Sequence, residues 1–162
     1  CLVDQGLAKA IGVSNWRVVD LQTIYESARI KPCCNQIEAH PYLQQPSLAA
    51  YCAERDIVMA AYAPLAPLTK MPGGPVDAPV AAAAAAHGKT AAQVLLRWCL
   101  QTGKIPITTT SRPERLEEYK AIFSFELTAE QVTAISDAGK TSPRRLYWVQ
   151  CPAFNSDPRL EK

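Results

Sequence analysis

The sequence predicts an α/β fold built on a parallel sheet, and three observations predict it. Short apolar stretches alternate with stretches of helical periodicity, four times over. A strand that reaches its neighbour through a helix makes a right-handed crossover, so the two strands run parallel. The third apolar stretch, residues 57–62, is apolar almost throughout, the pattern of a strand covered on both faces. Four such units make either an open doubly wound sheet or half of an eight-stranded barrel. No GxGxxG follows a strand and no GxxxxGK[ST] occurs, which counts against a Rossmann unit and a P-loop.

The elements follow in order. Residues 2–10 read as the end of a helix running into a strand, so the chain, which opens on Cys1, is expected to start inside a larger architecture. Residues 10–13 form the first strand. Leu21, Ile24, Tyr25 and Ala28 then recur at helical spacing. Residues 33–37 form the second strand, and Pro46 introduces a helix over 47–55. After the third strand comes a proline-rich loop, 63–79, too long for an ordinary connector and a candidate binding loop. An alanine run over 81–86 favours helix, with Gly88 placed to end it. Thr90 and Gln93 fit a capping box that opens a helix over 91–101. Residues 105–108 are the fourth strand. Ser111 and Glu114 fit another capping box, with a helix to about Ile122, and Thr128 with Gln131 a third, with a helix stopping near Gly139. Residues 141–162 form a tail rich in proline and arginine, with aromatic anchors.

The 162 residues suffice for a domain with a core, and 48% hydrophobic with 20% charged residues is a globular composition. Seventeen basic against fifteen acidic residues leave a formal charge of +2, which argues against nucleic acid or an anionic membrane as partner. No apolar run reaches the length of a membrane span, and no secretory pattern opens the chain. The six cysteines show no CxxC or metal-ligand spacing. Buried free thiols in a reducing, cytoplasmic compartment are expected, with Cys33 and Cys34 as core thiols.

Ligands of parallel α/β folds bind at the C-terminal ends of the strands. Four clusters lie there: Ser14 and Asn15, residues 36–40, residues 62–70, and residues 108–115. Asn15 and Gln36 each offer a donor and an acceptor, which matches a carboxamide, and Ser14 adds a hydroxyl. Tyr62 offers a flat ring for a flat heteroaromatic group. Ser111 would cap a helix whose N-terminus attracts an anion, with Arg112 and Arg115 beside it to clamp a phosphate. His40, Asp56 and His87 read as structural or solvated groups rather than catalytic ones.

Four segments carry a resemblance. Residues 6–16 (GLAKAIGVSNW), 35–44 (NQIEAHPYLQ), 61–65 (AYAPL) and 87–98 (HGKTAAQVLLRW) are similar, in order, to segments of the aldo-keto reductase family. The resemblance implies the C-terminal half of a (β/α)₈ TIM barrel over residues 1–148, with 149–162 as tail. It also implies NADP(H) lying across the barrel mouth. Ser14, Asn15 and Gln36 would hold the nicotinamide carboxamide, Tyr62 would stack on its ring, and the backbone at Leu65 would follow the pyrophosphate. Thr109, Thr110, Ser111 and Arg115 would surround the 2′-phosphate, and Glu118 would approach the adenine. Two positions depart from the family. Thr108 to Thr110 replace its usual lysine, whose charge Arg112 would supply, and Ala63 replaces a frequent serine.

In the family a tyrosine donates the proton, tuned by a lysine, an aspartate and a histidine, and all four lie on the other half of the barrel. No catalytic residue is therefore assigned here. The resemblance implies NADPH-dependent reduction of a small aldehyde or ketone by the complete protein, with this chain supplying the cofactor half. A catalytically inactive NADP(H)-binding module is the alternative. Self-association through the open edges of a half-barrel sheet is also expected.

Overall fold

A computed structural model describes residues 1–155; residues 156–162 of the expected tail lie outside the described residues. Four strands, β1 (Gly12–Ser14), β2 (Cys34–Glu38), β3 (Val58–Tyr62) and β4 (Lys104–Ile107), form one sheet in the order β1-β2-β3-β4. Every neighbouring pair is parallel. Helix α1 (Val18–Ser27) connects β1 to β2, and α2 (Pro46–Ala53) connects β2 to β3. Three helices, α3 (Ala66–Thr69), α4 (Asp77–His87) and α5 (Ala91–Gln101), lie between β3 and β4. After β4 come α6 (Pro113–Lys120), a 3₁₀ turn (Ala121–Phe123), α7 (Ala129–Lys140) and α8 (Pro152–Asn155).

The local chemistry behind these elements is largely as expected. Residues 1–7 close a helical turn: Leu7 N–H bonds Leu2 C=O and Gly6 N–H bonds Val3 C=O, with Gly6 left-handed. Thr90 and Thr128 accept the N–H of Gln93 and Gln131, and each glutamine accepts back from the threonine N–H, so both capping boxes form. Gly88 ends α4 in the left-handed conformation. The third capping box does not form. Arg112, extended at φ −105°, is the N-cap of α6, and Pro113 opens the helix. A residue before proline is driven out of the helical region, so the helix cannot begin at Arg112 with Ser111 as its cap.

Register assigns the two faces of the sheet. Asn35, Ile37, Met59, Ala61 and Lys104 point to one side and are buried under the helices. Trp98, Leu95 and Val94 of α5, Leu21 of α1 and Ile135 of α7 complete that core. The Trp98 indole N–H donates to Ser136 Oγ at 2.9 Å and ties α5 to α7. On the other side Gln36 is exposed, and so are Val58 (44%), Ile105 (51%) and Ile107 (42%). On that face of β3 Val58 is exposed, Ala60 is buried and Tyr62 half-buried, so the expectation that β3 is covered on both faces holds only in part. An inward barrel face is filled by residues from the opposite strands, and here four strands are present.

Gly139 lies one residue inside the end of α7 rather than beyond it. A Cβ there would come within 2.0 Å of the Pro41 carbonyl oxygen, so glycine lets α7 approach the segment after β2. The thiol expectation is half right. Cys52 and Cys99 are buried, with burial pushing their thiols up to about 11 and about 12 respectively. Cys33 is exposed just before β2, and Cys34, half-buried, opens β2 on the face shared with Gln36 and Val58, away from the helices.

Lys104 is the cation placed in the core. Its ammonium donates to Thr102 C=O at 3.0 Å and lies 5.7 Å from the centre of the Trp98 ring. Burial pushes it below its usual value. The unfolded chain then binds more protons than the fold between the folded and unfolded values, so stability rises with pH across that window. Lys104→Met is expected to raise the urea midpoint at pH 7, and its advantage should shrink at pH 9.5. Equal advantage at both pH values would contradict a depressed lysine.

Candidate functional site

The parallel register brings the expected residues to one end of the sheet. Ser14 pairs with Gln36 on one rung, and Glu38 pairs with Tyr62 on the next rung toward the C-terminal ends. Tyr62 pairs in turn with Ile107, so the 108–115 segment departs from beside it. All of these side chains belong to the uncovered face.

A small polar network joins three of them. The Tyr62 hydroxyl donates to Asn15 Oδ1 at 2.8 Å, and Asn15 Nδ2 donates to Ser14 Oγ at 3.1 Å. The Ser14 hydroxyl donates to the Gln36 carbonyl oxygen at 2.9 Å, and Asn15 N–H bonds the same carbonyl at 2.8 Å. Asn15 is left-handed at φ 57°, a conformation asparagine tolerates better than most residues. The Gln36 carboxamide is exposed and in no hydrogen bond among the described residues, so its donor and acceptor are both free. Burial, with the Glu38 charge beside it, raises the Tyr62 phenol above its usual value. Tyr62 therefore stays a neutral donor.

Sequence reasoning did not single out Asn35, which supports this network from beneath. It is fully buried on the helix side of β2. Its Nδ2 donates to Trp16 C=O at 2.8 Å, and its Oδ1 accepts Trp16 N–H at 3.3 Å. A polar side chain in an otherwise apolar strand was the available signal, since a buried amide must find partners.

The second cluster is looser. Thr109, Ser111, Arg112 and Arg115 are exposed, and Thr110 is half-buried. Thr110 Oγ1 accepts Arg112 N–H at 3.0 Å, which shapes the turn into α6. Neither Arg112 nor Arg115 is in an ion pair among the described residues. Glu118 turns toward the start of α5: its carboxylate accepts the Thr90 hydroxyl, and its carbonyl accepts Gln93 Nε2 at 2.9 Å. Leu65 precedes α3, and the expected binding loop is anchored by Val76, which is fully buried and donates its N–H to the Tyr42 hydroxyl at 3.2 Å.

Of the residues weighed as non-catalytic, His40 is fully buried with Nε2 3.0 Å from Glu38 Oε1. His87 meets Gln131 at 2.8 Å, and Asp56 is exposed in a left-handed turn. Among the described residues no group of three or more His, Cys, Asp or Glu is placed to hold a metal. No helix among them is long and apolar enough to cross a membrane.

Sequence comparison matches residues 1–140 to the Aldo/keto reductase family. The chain belongs to that family. A curated relative is an NADPH-dependent alpha-keto amide reductase of Saccharomyces cerevisiae, 43% identical over 91% of this chain and 49% of the relative. Another is an NAD(P)H-dependent D-xylose reductase of Hypocrea jecorina, 42% identical over 84% of this chain and 45% of the relative. Among solved structures, an aldo-keto reductase from a Medee basin deep-sea metagenome superposes with a TM-score of 0.82 at 32% identity, covering 90% of this chain and 53% of that one. The aldose reductase of Schistosoma japonicum gives 0.80 at 35% identity, covering 91% and 46%.

The chain spans about half the length of these aldo/keto reductases, and its four parallel strands match about half of their barrels. The uncovered face of its sheet is thus the side that a complete barrel encloses.

The left-handed turn at Asn15 gives a direct check. Asn15→Gly should preserve the backbone, whereas Asn15→Ala should be less stable than Asn15→Gly by about 1 kcal/mol. Urea unfolding of the two variants decides it, and equal midpoints would place the turn elsewhere in conformational space.

Proposed function

We propose that the complete protein reduces small aldehyde or ketone carbonyls with NADPH, and that this chain is its cofactor-holding half. The observation that carries the reading is the Ser14–Asn15–Tyr62 network beside a free Gln36 carboxamide. That donor set fits a primary carboxamide, which needs donors and acceptors together. Gln36 would engage it directly, Ser14 and Asn15 from the β1 side, and Tyr62 would present its ring to the nicotinamide. Bound there, NADPH would supply hydride to the carbonyl carbon. The chain's own part is to fix the ring and restrict water at the mouth.

Arg112 and Arg115, in no ion pair among the described residues and at the start of α6, favour a phosphorylated adenosine over a plain one, with Thr109, Thr110 and Ser111 as neutral donors. The yeast relative's use of NADPH supports the same cofactor. That relative acts on alpha-keto amides, which makes activated ketones the first substrates to try. Cysteines that are all free among the described residues are consistent with a reducing compartment such as the cytoplasm. The outer edges of β1 and β4 pair with no strand in this sheet, so the chain by itself is expected to self-associate.

The test is fluorescence titration of the purified chain with NADPH and NADH. Saturable binding of NADPH is expected, with Tyr62→Ala weakening both nucleotides and Arg115→Ala weakening NADPH alone by about tenfold. A folded chain that binds neither nucleotide would sink the reading. Binding without carbonyl-dependent oxidation of NADPH would favour a binding module, or a half that requires its complement. Sedimentation of the same samples checks association, and a dilution-resistant monomer would contradict it.

A further inference from the structure

The reductase reading leaves one fully buried carboxylate without a role. Glu38 ends β2 on the uncovered face, beside Tyr62. Its Oε1 accepts Leu146 N–H at 2.8 Å and meets His40 Nε2 at 3.0 Å. Its Oε2 accepts Tyr147 N–H at 3.0 Å. Gln45 Nε2 donates to the Glu38 carbonyl oxygen at 2.7 Å and holds the backbone. A carboxylate out of water is costly unless its lone pairs are filled, and here the C-terminal segment fills them.

That segment crosses the mouth from β2 to β1. Arg144 N–H bonds Tyr42 C=O at 2.9 Å at one end, and Arg17 Nη1 donates to Ala153 C=O at 3.4 Å at the other. Between them the Tyr147 ring packs edge-on with Tyr62, centres 5.6 Å apart at 73°. Trp148 and Phe154 stand 5.8 Å apart and line a cleft of about 500 Å³ with Ser14, Asn15, Trp16 and Arg17. The segment therefore lies over the residues assigned to the nicotinamide end.

We propose that Glu38 is the positioning residue that clips this segment across the mouth, and that the clipped segment gates nucleotide exchange at Tyr62. The gate rests on the cofactor reading; the clip does not. Two backbone N–H groups 108 and 109 residues downstream converge on one carboxylate, so one side chain holds the strap between its anchors at Arg144 and Ala153. The bonds to Glu38 come from the strap's main chain, while its Leu146 and Tyr147 side chains pack on the core and on the Tyr62 ring.

The experiment has two arms. In the first, trypsin cleavage after Arg144 and Arg145 is followed by mass spectrometry against cleavage after Arg29, far along the chain. Loss of charged hydrogen bonds should raise strap cleavage in Glu38→Ala by about ten- to hundredfold, with a smaller rise in Glu38→Gln, which keeps one acceptor oxygen. Cleavage after Arg29 should stay near wild type. Equal acceleration at both places means general loosening of the fold and overturns the clip, as does no acceleration.

In the second arm, NADPH association and release are timed by stopped-flow fluorescence. Glu38→Gln should speed both. Tyr147→Ala, which leaves the backbone bonds to Glu38 in place and removes an exposed ring, should speed exchange while strap cleavage stays near wild type. It serves as the test should Glu38→Ala fail to fold. Unchanged exchange in a variant whose strap is freed overturns the gate. A wild-type chain that never binds NADPH removes the cofactor reading and the gate with it, while the cleavage arm still judges the clip.

Discussion

Everything in the site depends on the register of a short parallel sheet. Residues on one rung of a parallel pair point to the same side, so the pairings Ser14–Gln36 and Glu38–Tyr62 place four side chains on one face at one end. A slip of one residue in β2 would send Gln36 and Glu38 under the helices and turn Asn35 and Ile37 outward. The helix-facing set forbids that slip. Ile37, Met59 and Ala61 are buried, and Asn35 is fixed by two bonds to the Trp16 backbone. Core packing on one side of the sheet thus sets the geometry of the polar groups on the other.

The uncovered side shows the same constraint from outside. Ile105, Ile107 and Val58 remain about half exposed there, although each would gain about 1 kcal/mol from burial of the rest. The chain holds its shape through the helix layer, where α5 contributes Val94, Leu95, Leu96 and Trp98. An exposed apolar face of this kind is a surface suited to contact with further protein. In the aldo/keto reductase barrels, about half of which this chain matches, the corresponding face lines the inside of a closed sheet.

Much of this was legible in the sequence, because strands, crossovers and two of the capping boxes are local signals. Ser14, Asn15 and Tyr62 were found by the rule that parallel folds bind at strand ends, and the structure brings them together. The errors came from competing local terms. Ser111 fits a capping box as a string of letters, yet Pro113 moves the helix start past it. Cys33 and Cys34 look like core residues by composition, but Cys33 precedes the strand and Cys34 opens it on the face turned away from the helices. Gly139 resembles a helix stop, and its actual constraint is the Pro41 backbone 98 residues earlier in the chain. The roles of Asn35 and Glu38 were not legible because most of their partners are main-chain groups, which carry no letter in the sequence.

Backbone conformation also carries part of the precision that side chains lack. Asn15 and Ala63 each come directly after a strand, β1 and β3, and both are left-handed, at φ 57° and φ 54°. Asparagine bears this easily, whereas alanine is held there at a cost of about 1–2 kcal/mol. The start of α3 sustains that cost: Ala66 N–H bonds Ala63 C=O, and Ala66 and Pro67 are buried. A sharp departure at both positions turns the chain off the strand ends, away from the face that carries Tyr62 and Ser14. The family's frequent serine is absent at Ala63, so that position contributes a turn and no hydroxyl. The polar groups left at that end are the Gln36 carboxamide and the Asn15–Tyr62 pair, with the C-terminal segment over them.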